Sequence, residues 1–272
     1  MRAHVAVVLS LLSLVPVVSY AGDEAVELEL AYFIGCTDEK AIEAWIAVKA
    51  QELDARDDVA TDPKVKARVD ELSAKLQALA KSMGTHVPVR MVITEDTARI
   101  EYGTRVTLIR MDVDEPYLAD FDSKEPTATK VALSALAGDS ANQAIKIAFD
   151  GMSGKKKQIN GQTCLDYKLQ GGIKAQVWLA EGDIKGLTAM QEFCIKAKDT
   201  MGGFRGEVLW AVVEEAQNFP VLAIGTAHGG LGFDGKTRKQ DKPVAMVLCR
   251  ITHHPTAPET DLEIPADKKV GK

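Results

Sequence analysis

Val89-Arg90-Met91-Val92-Ile93-Thr94-Glu95-Asp96-Thr97-Ala98-Arg99-Ile100-Glu101-Tyr102-Gly103-Thr104-Arg105-Val106-Thr107-Leu108-Ile109-Arg110 is the stretch on which the fold turns. Its residues are rich in β-branched types and alternate with a period of two, broken by a compact turn at Glu95-Asp96 and by Gly103. Three strands follow from this, over residues 89–94, 97–102 and 104–112, linked as hairpins. A further short strand fits residues 118–121, before the break Ser123-Lys124-Glu125-Pro126.

Upstream, Val26-Glu27-Leu28-Glu29-Leu30 alternates apolar and acidic, the period of a strand with one wet face. The period then changes. Thr37 is placed to cap a helix bearing Ile42, Trp45, Ile46, Ala50 and Leu53, with Asp38 and Glu39 in the first turn. A second helix is opened by Asp62-Pro63 and closed by Gly84. Its apolar residues Val65, Val69, Leu72, Leu76, Leu79 and Met83 form a narrow stripe, enough to pack on one partner. Residues 37–84 therefore read as a helical hairpin, either lying on the sheet or serving as a lid or partner-binding arm.

Downstream, helix is expected over 130–148, interrupted near Gly138-Asp139-Ser140, and over 186–197 and 207–217. Residues 156–160, 163–169 and 174–179 make a meander turning at Gly161 and Gly171-Gly172, and strands over 221–227 and 244–252 close the chain. Strands come in hairpin-linked runs and do not alternate one-for-one with helices. The fold class is α+β with a mainly antiparallel sheet.

Residues 1–21 read as an export leader, with Arg2 as the positive end, an apolar stretch over 5–18 and Ser19-Tyr20-Ala21 as the cleavage site. That stretch is shorter than the roughly 20 residues that span a bilayer, so no membrane span is expected once it is removed. Residues 22–272 are long enough for a single domain with a substantial core. The net charge of −6 makes the chain a poor binder of phosphate backbones, so nucleic acid is not an expected partner. Lys155-Lys156-Lys157 is the one basic run. The four cysteines, Cys36, Cys164, Cys194 and Cys249, are disulfide candidates in an exported chain, with three possible connectivities.

Catalytic and cofactor motifs are scarce. Gly230-Leu231-Gly232-Phe233-Asp234-Gly235-Lys236-Thr237 satisfies the pattern of a phosphate-cradling loop, but a β-like segment follows it where a helix is needed. It reads as a glycine-rich connection, with no nucleotide bound. His253 and His254 sit side by side and point to opposite faces of a strand, while His86 and His228 lack ligand-like neighbours, so no metal is expected. Asp112-x-Asp114-Glu115 and Asp120-x-Asp122 lack the glycine and final glutamate of a calcium loop. No G-x-S-x-G elbow exists. No cofactor and no catalytic residue is assigned.

Several segments together resemble LolA/LolB-like periplasmic proteins, within the branch known only as a domain of unknown function. They are Arg99-Ile100-Glu101-Tyr102, Leu108-Ile109-Arg110-Met111-Asp112, Tyr117-Leu118-Ala119-Asp120, the run from Ile159 through Cys164 to Tyr167, Val177-Trp178-Leu179 with Asp183-Ile184-Lys185-Gly186-Leu187, and the tail Leu262-Glu263-Ile264-Pro265-Ala266-Asp267. The resemblance implies a strongly curved antiparallel sheet, an unclosed half-barrel covered by helices; the hairpin 37–84, inserted after the first strand, departs from that pattern. The resemblance also implies a periplasmic location and a cavity that holds acyl chains in the characterised carriers.

Alternation puts Val106, Leu108 and Arg110 on one face and Thr107, Ile109 and Met111 on the other. Ile109 and Met111, with Val177, Leu179 or Trp178, are the cavity candidates. The expected partner is a lipid or other apolar small molecule. The alternatives are a barrel packed shut in a protein-interaction module that docks an envelope protein through the hairpin, and an enzyme whose site carries no recognisable motif.

Overall fold

The computed structural model describes residues 24–57, 63–135, 147–171, 173–182, 187–201, 219–227, 242–256 and 262–271. The expected leader, the helix expected over 207–217 and the glycine-rich 230–237 segment lie outside the described residues. Within them the chain forms a large, unclosed sheet of twelve strands in the order β12-β6-β5-β4-β3-β2-β1-β11-β10-β9-β8-β7. Every pairing is antiparallel except β12 with β6.

The first strand, β1 (Ala25–Ile34), lies in the middle of the sheet. On one side run β2 (Thr85–Ile93), β3 (Thr97–Tyr102), β4 (Arg105–Arg110), β5 (Tyr117–Asp122) and β6 (Thr127–Ala132). The other side is reached from the far edge inward, through β7 (Ile147–Ile159), β8 (Gln162–Gly171), β9 (Ile173–Ala180), β10 (Pro220–Ala227) and β11 (Lys242–His254). The short β12 (Lys269–Gly271) runs along β6.

Helices α1 (Glu39–Asp57) and α2 (Pro63–Ser82) separate β1 from β2 and pack against each other, with further contacts to β11 and β2. Asp38, not Thr37, caps α1: its Oδ1 accepts from the amides of Lys40 and Ala41. Gly84 ends α2 at φ +101°, a conformation that suits glycine. Helix α3 (Leu187–Met201) sets Met190, Phe193, Cys194 and Ala197 into the core and contacts β1 and β2.

Of the helix expected over 130–148, residues 130–132 belong to β6 and pair with β5, 133–135 are helical, 147–148 open β7, and 136–146 lie outside the described residues. Ala128 faces a small apolar cluster with Phe121, Ala119, Leu108 and Val106. Lys130 and Ala132 are exposed, so it is the ladder pairing with β5, and not burial, that holds these residues in the strand. The tail covers this cluster through Ile264, and the Lys268 ammonium donates to the carbonyls of Asp122 (3.1 Å), Ser123 (3.0 Å) and Glu125.

The expected disulfides do not form. None of Cys36, Cys164, Cys194 and Cys249 is disulfide-bonded, and all four are buried. Cys36 follows β1, Cys164 is on β8, Cys194 on α3 and Cys249 on β11. Each is packed into the core by its own element as a small apolar side chain, and a bridge would need Cα atoms within about 4.4–6.8 Å. Burial pushes the Cys164 thiol up to about 11 and the Cys249 thiol up to about 12, so both stay neutral.

Candidate functional site

Register decides which of the expected cavity residues share a face, because directly paired residues in an antiparallel sheet point the same way. Ile109 pairs with Ala98, Ala98 with Ile93 and Ile93 with Val26. Val177 pairs with Ala223, Ala223 with Met246 and Met246 with Tyr32. Val26 and Tyr32 are an even number of residues apart on β1, so Ile109, Met111, Val177 and Leu179 lie on one face. Trp178 leads through Leu222 and Val247 to Ala31, which puts it on the opposite face.

Ile109, Val177 and Leu179 are buried, and Met111 packs partly buried against the main core. Val177 and Leu179 join Leu169 in a separate apolar cluster. Trp178 is buried on its own face, beneath the Lys157 ammonium at 5.2 Å from the ring centre.

On that second face, which carries Phe33, Ala31, Glu29 and Glu27 of β1, lie two clefts. Trp45 of α1 stacks edge-on against Phe33 at 5.1 Å, and His86 of β2 lies 5.2 Å from Phe33 and 5.6 Å from Trp45. Next to this aromatic group is a cleft of about 380 Å³, walled by Trp45, Ala31 and Pro88 and floored by the acids of β1. A second cleft of about 450 Å³ lies along the C-terminal half of α1, bordered by Leu53, Asp54, Gln162, Val221 and Arg250. Cys249 borders both.

The charges around the first cleft form two linked groups. Arg90 Nε donates to Glu27 Oε1 at 2.6 Å, with its Nη1 3.6 Å from Glu101, and Glu101 also accepts from Arg99 Nε at 2.6 Å. His254 Nε2 lies 3.0 Å from the other Glu27 oxygen. Burial opposes ionisation of Glu27, but the hydrogen bonds to Arg90 and His254 outweigh it and hold the carboxyl below its ordinary range.

In the second group the side chain of Glu52 is only 1% exposed. It accepts from Lys49 Nζ at 2.8 Å and Arg56 Nε at 2.5 Å. Both cations also face Glu29, but at 3.8 and 3.9 Å, beyond hydrogen-bonding reach. Burial, and then the Lys49 charge, push the His86 imidazole below its usual value, so it is neutral at pH 7. His86 Nε2 and Trp45 Nε1 are buried without a hydrogen-bond partner among the described residues.

The acidic floor follows from a feature visible in the sequence, since Val26-Glu27-Leu28-Glu29-Leu30 announces a strand with one polar face. What the sequence does not announce is the partner set. Arg90 is 63 residues from Glu27, and His254 is 227. His86 carried no local signal at all, and its role appears only once β2 pairs with β1 at Phe33↔His86. The expected histidine pair resolves as anticipated onto two faces, with His253 Nε2 at 3.4 Å from Glu24 and His254 on Glu27.

No group of three or more metal-ligating side chains occurs among the described residues. No helix there is long and apolar enough to cross a membrane. No protein-family model and no curated protein matches the chain.

Proposed function

We propose that the chain is an exported, non-catalytic binding protein of LolA-like half-barrel architecture, and that its ligand occupies the clefts beneath α1. The carrying observation is that this space is open and chemically mixed: an aromatic wall at Trp45 and His86 meets a floor of carboxylates. A few hundred Å³ with a small number of polar groups on an apolar wall is the usual form of a small-molecule site.

Two contacts support the curvature that a half-barrel needs. Lys157 of β7 bonds Glu39 and also meets Glu43 of α1, and Asn160, in the turn after β7, donates to the Leu248 carbonyl of β11 at 2.5 Å. A flat run of five strands would hold β7 roughly 19 Å from β11. Both contacts support a bend of that half of the sheet toward the face that carries α1, as open sheets of more than about ten strands tend to curl.

The ligand has an apolar part and a polar one. A bare acyl chain would lie against several charged side chains and gain little of the roughly 0.8 kcal/mol per methylene available from burial. Ile109, Val177 and Leu179, expected to line an oily cavity, are sealed, and this favours the second reading, an interaction module with a filled barrel. Native mass spectrometry of the purified protein, before and after solvent extraction, separates the two. A released small molecule whose re-addition raises the melting temperature is the expected result. A stoichiometric protein partner, with no small ligand, would replace the first reading by the second.

A further inference from the structure

Residues 262–271, the C-terminal tail, sit on the sheet as an added peptide does, away from the clefts beneath α1. The last of them, β12, lie along β6 at one end of the sheet in parallel pairing, and all three are exposed. Side-chain pegs hold the rest. Leu262 enters a small apolar cluster with Ala25 and Val92, and its carbonyl accepts from Arg110 Nη1 at 2.9 Å. Ile264 lies on the apolar strip of Val106, Leu108, Ala119, Phe121 and Ala128. Both clusters are separate from the main core. Four residues beyond Ile264, the Lys268 ammonium donates to the carbonyls of one turn, those of Asp122, Ser123 and Glu125. Strand addition at a sheet edge is a recurring way to capture an extended peptide, with backbone bonds giving affinity and side-chain pockets giving selectivity.

We propose that the strip over β4–β6 is a docking groove for an extended segment of a partner protein, and that the tail is its resident occupant. The partner segment carries an apolar residue and, four residues on, a lysine. The resident defines this chemistry. Carbonyls of the 122–125 turn converge on one point, which suits the three donors of an ammonium and repels a carboxylate. The strip takes an apolar side chain, because a polar one would lose its water there without gaining a partner. The edge of β6 supplies the backbone bonds: the Lys269 amide donates to the Pro126 carbonyl at 2.7 Å, and pairing continues to Gly271↔Thr129. Release of the tail uncovers two small clusters and leaves the main core packed, the condition for a local opening well short of global unfolding.

The test uses the full chain, its full-length Lys268→Ala variant and a fluorescent peptide with the sequence of residues 262–271. Lys268→Ala weakens the resident, while the peptide keeps its own lysine. The peptide is therefore expected to bind the variant at least about tenfold more tightly than the parent chain. A peptide with alanine in place of that lysine is expected to bind neither. In the parent chain, the Lys269 amide is expected to exchange its hydrogen at least about tenfold faster than the amides of β1. Exchange at Lys269 no faster than in β1 would overturn the proposal, since the tail would then be a fixed part of the sheet. A folded variant that takes up no peptide and stays monomeric would overturn the groove. Equal binding of the two peptides would overturn the lysine requirement. A variant that dimerises and takes up no peptide would overturn the foreign partner in favour of a second copy's tail.

Discussion

Glu52 has two cations on one carboxylate in a place that water scarcely reaches, and its removal is expected to be felt well beyond the cleft. Glu52→Gln leaves Lys49, 13% exposed, with the distant Glu29 as its remaining ion-pair partner among the described residues. Urea unfolding is expected to show a loss of about 2–4 kcal/mol, toward the range for breaking a buried pair from one side. A loss below about 1 kcal/mol would mean that Lys49 escapes to solvent at no cost.

His86 predicts a pH dependence. Its folded value lies below the ordinary 6.5, so as pH falls through 6.5 the unfolded chain takes up a proton that the folded chain refuses, and stability drops. Glu27 is also depressed, from 4.5, and its contribution is present above that value and lost as pH falls through the folded one. Denaturant midpoints are therefore expected to decline in two acid steps, and His86→Gln to remove the upper step alone. A profile unchanged by His86→Gln would show that this step belongs to another group. None of this was readable from the residue itself, because a histidine beside threonine and valine in a strand is unremarkable until the topology sets Trp45 and Lys49 against it.

At the scale of elements, the punctuation was the most legible part. Most of the period-two runs, the turns at Gly103 and Gly161 and the Pro63 and Gly84 helix ends appear where the sequence places them. The helix expected from Lys130 begins later, at Leu133, because pairing with β5 keeps Lys130–Ala132 in β6. Gly84 also shows how a turn becomes a packing constraint. A Cβ at that position would stand 2.6 Å from the Ile34 carbonyl, whereas at Gly103, also left-handed at φ +64°, it would meet open space. Gly84→Ala is expected to cost about 2–4 kcal/mol and Gly103→Ala about 1 kcal/mol, measured as paired shifts in urea midpoint. Equal costs would show that β1 and the end of α2 separate readily.

At the scale of the molecule, the grouping of strands gave the antiparallel α+β class, but the position of β1 was hidden. Alternation says which face a residue takes and nothing about which strand becomes its neighbour. The cysteines were misread for a related reason: an even count is compatible with bridges, and only the fold separates four thiols onto four places. Thiol-reactive probes are accordingly expected to label none of Cys36, Cys164, Cys194 and Cys249 promptly in the native protein and all four in denaturant. Addition of a reductant is expected to leave the melting temperature unchanged, and a fall on reduction would mean that a bridge exists.

The central place of β1 also bears on how the chain reaches its folded state. Ala25 is hydrogen-bonded into register with His254, nearly the whole polypeptide away, while β2 becomes available after a single helical excursion. As the polypeptide emerges in order, the block from β1 to β6 can assemble early, but its seam along β1 stays unzipped until β11 arrives. Such a bare, apolar strand edge is prone to pair with a stranger in the meantime, and the long-range closure makes the final step slow. A holding chaperone during synthesis would therefore raise the yield of this protein more than any stabilisation of its finished form.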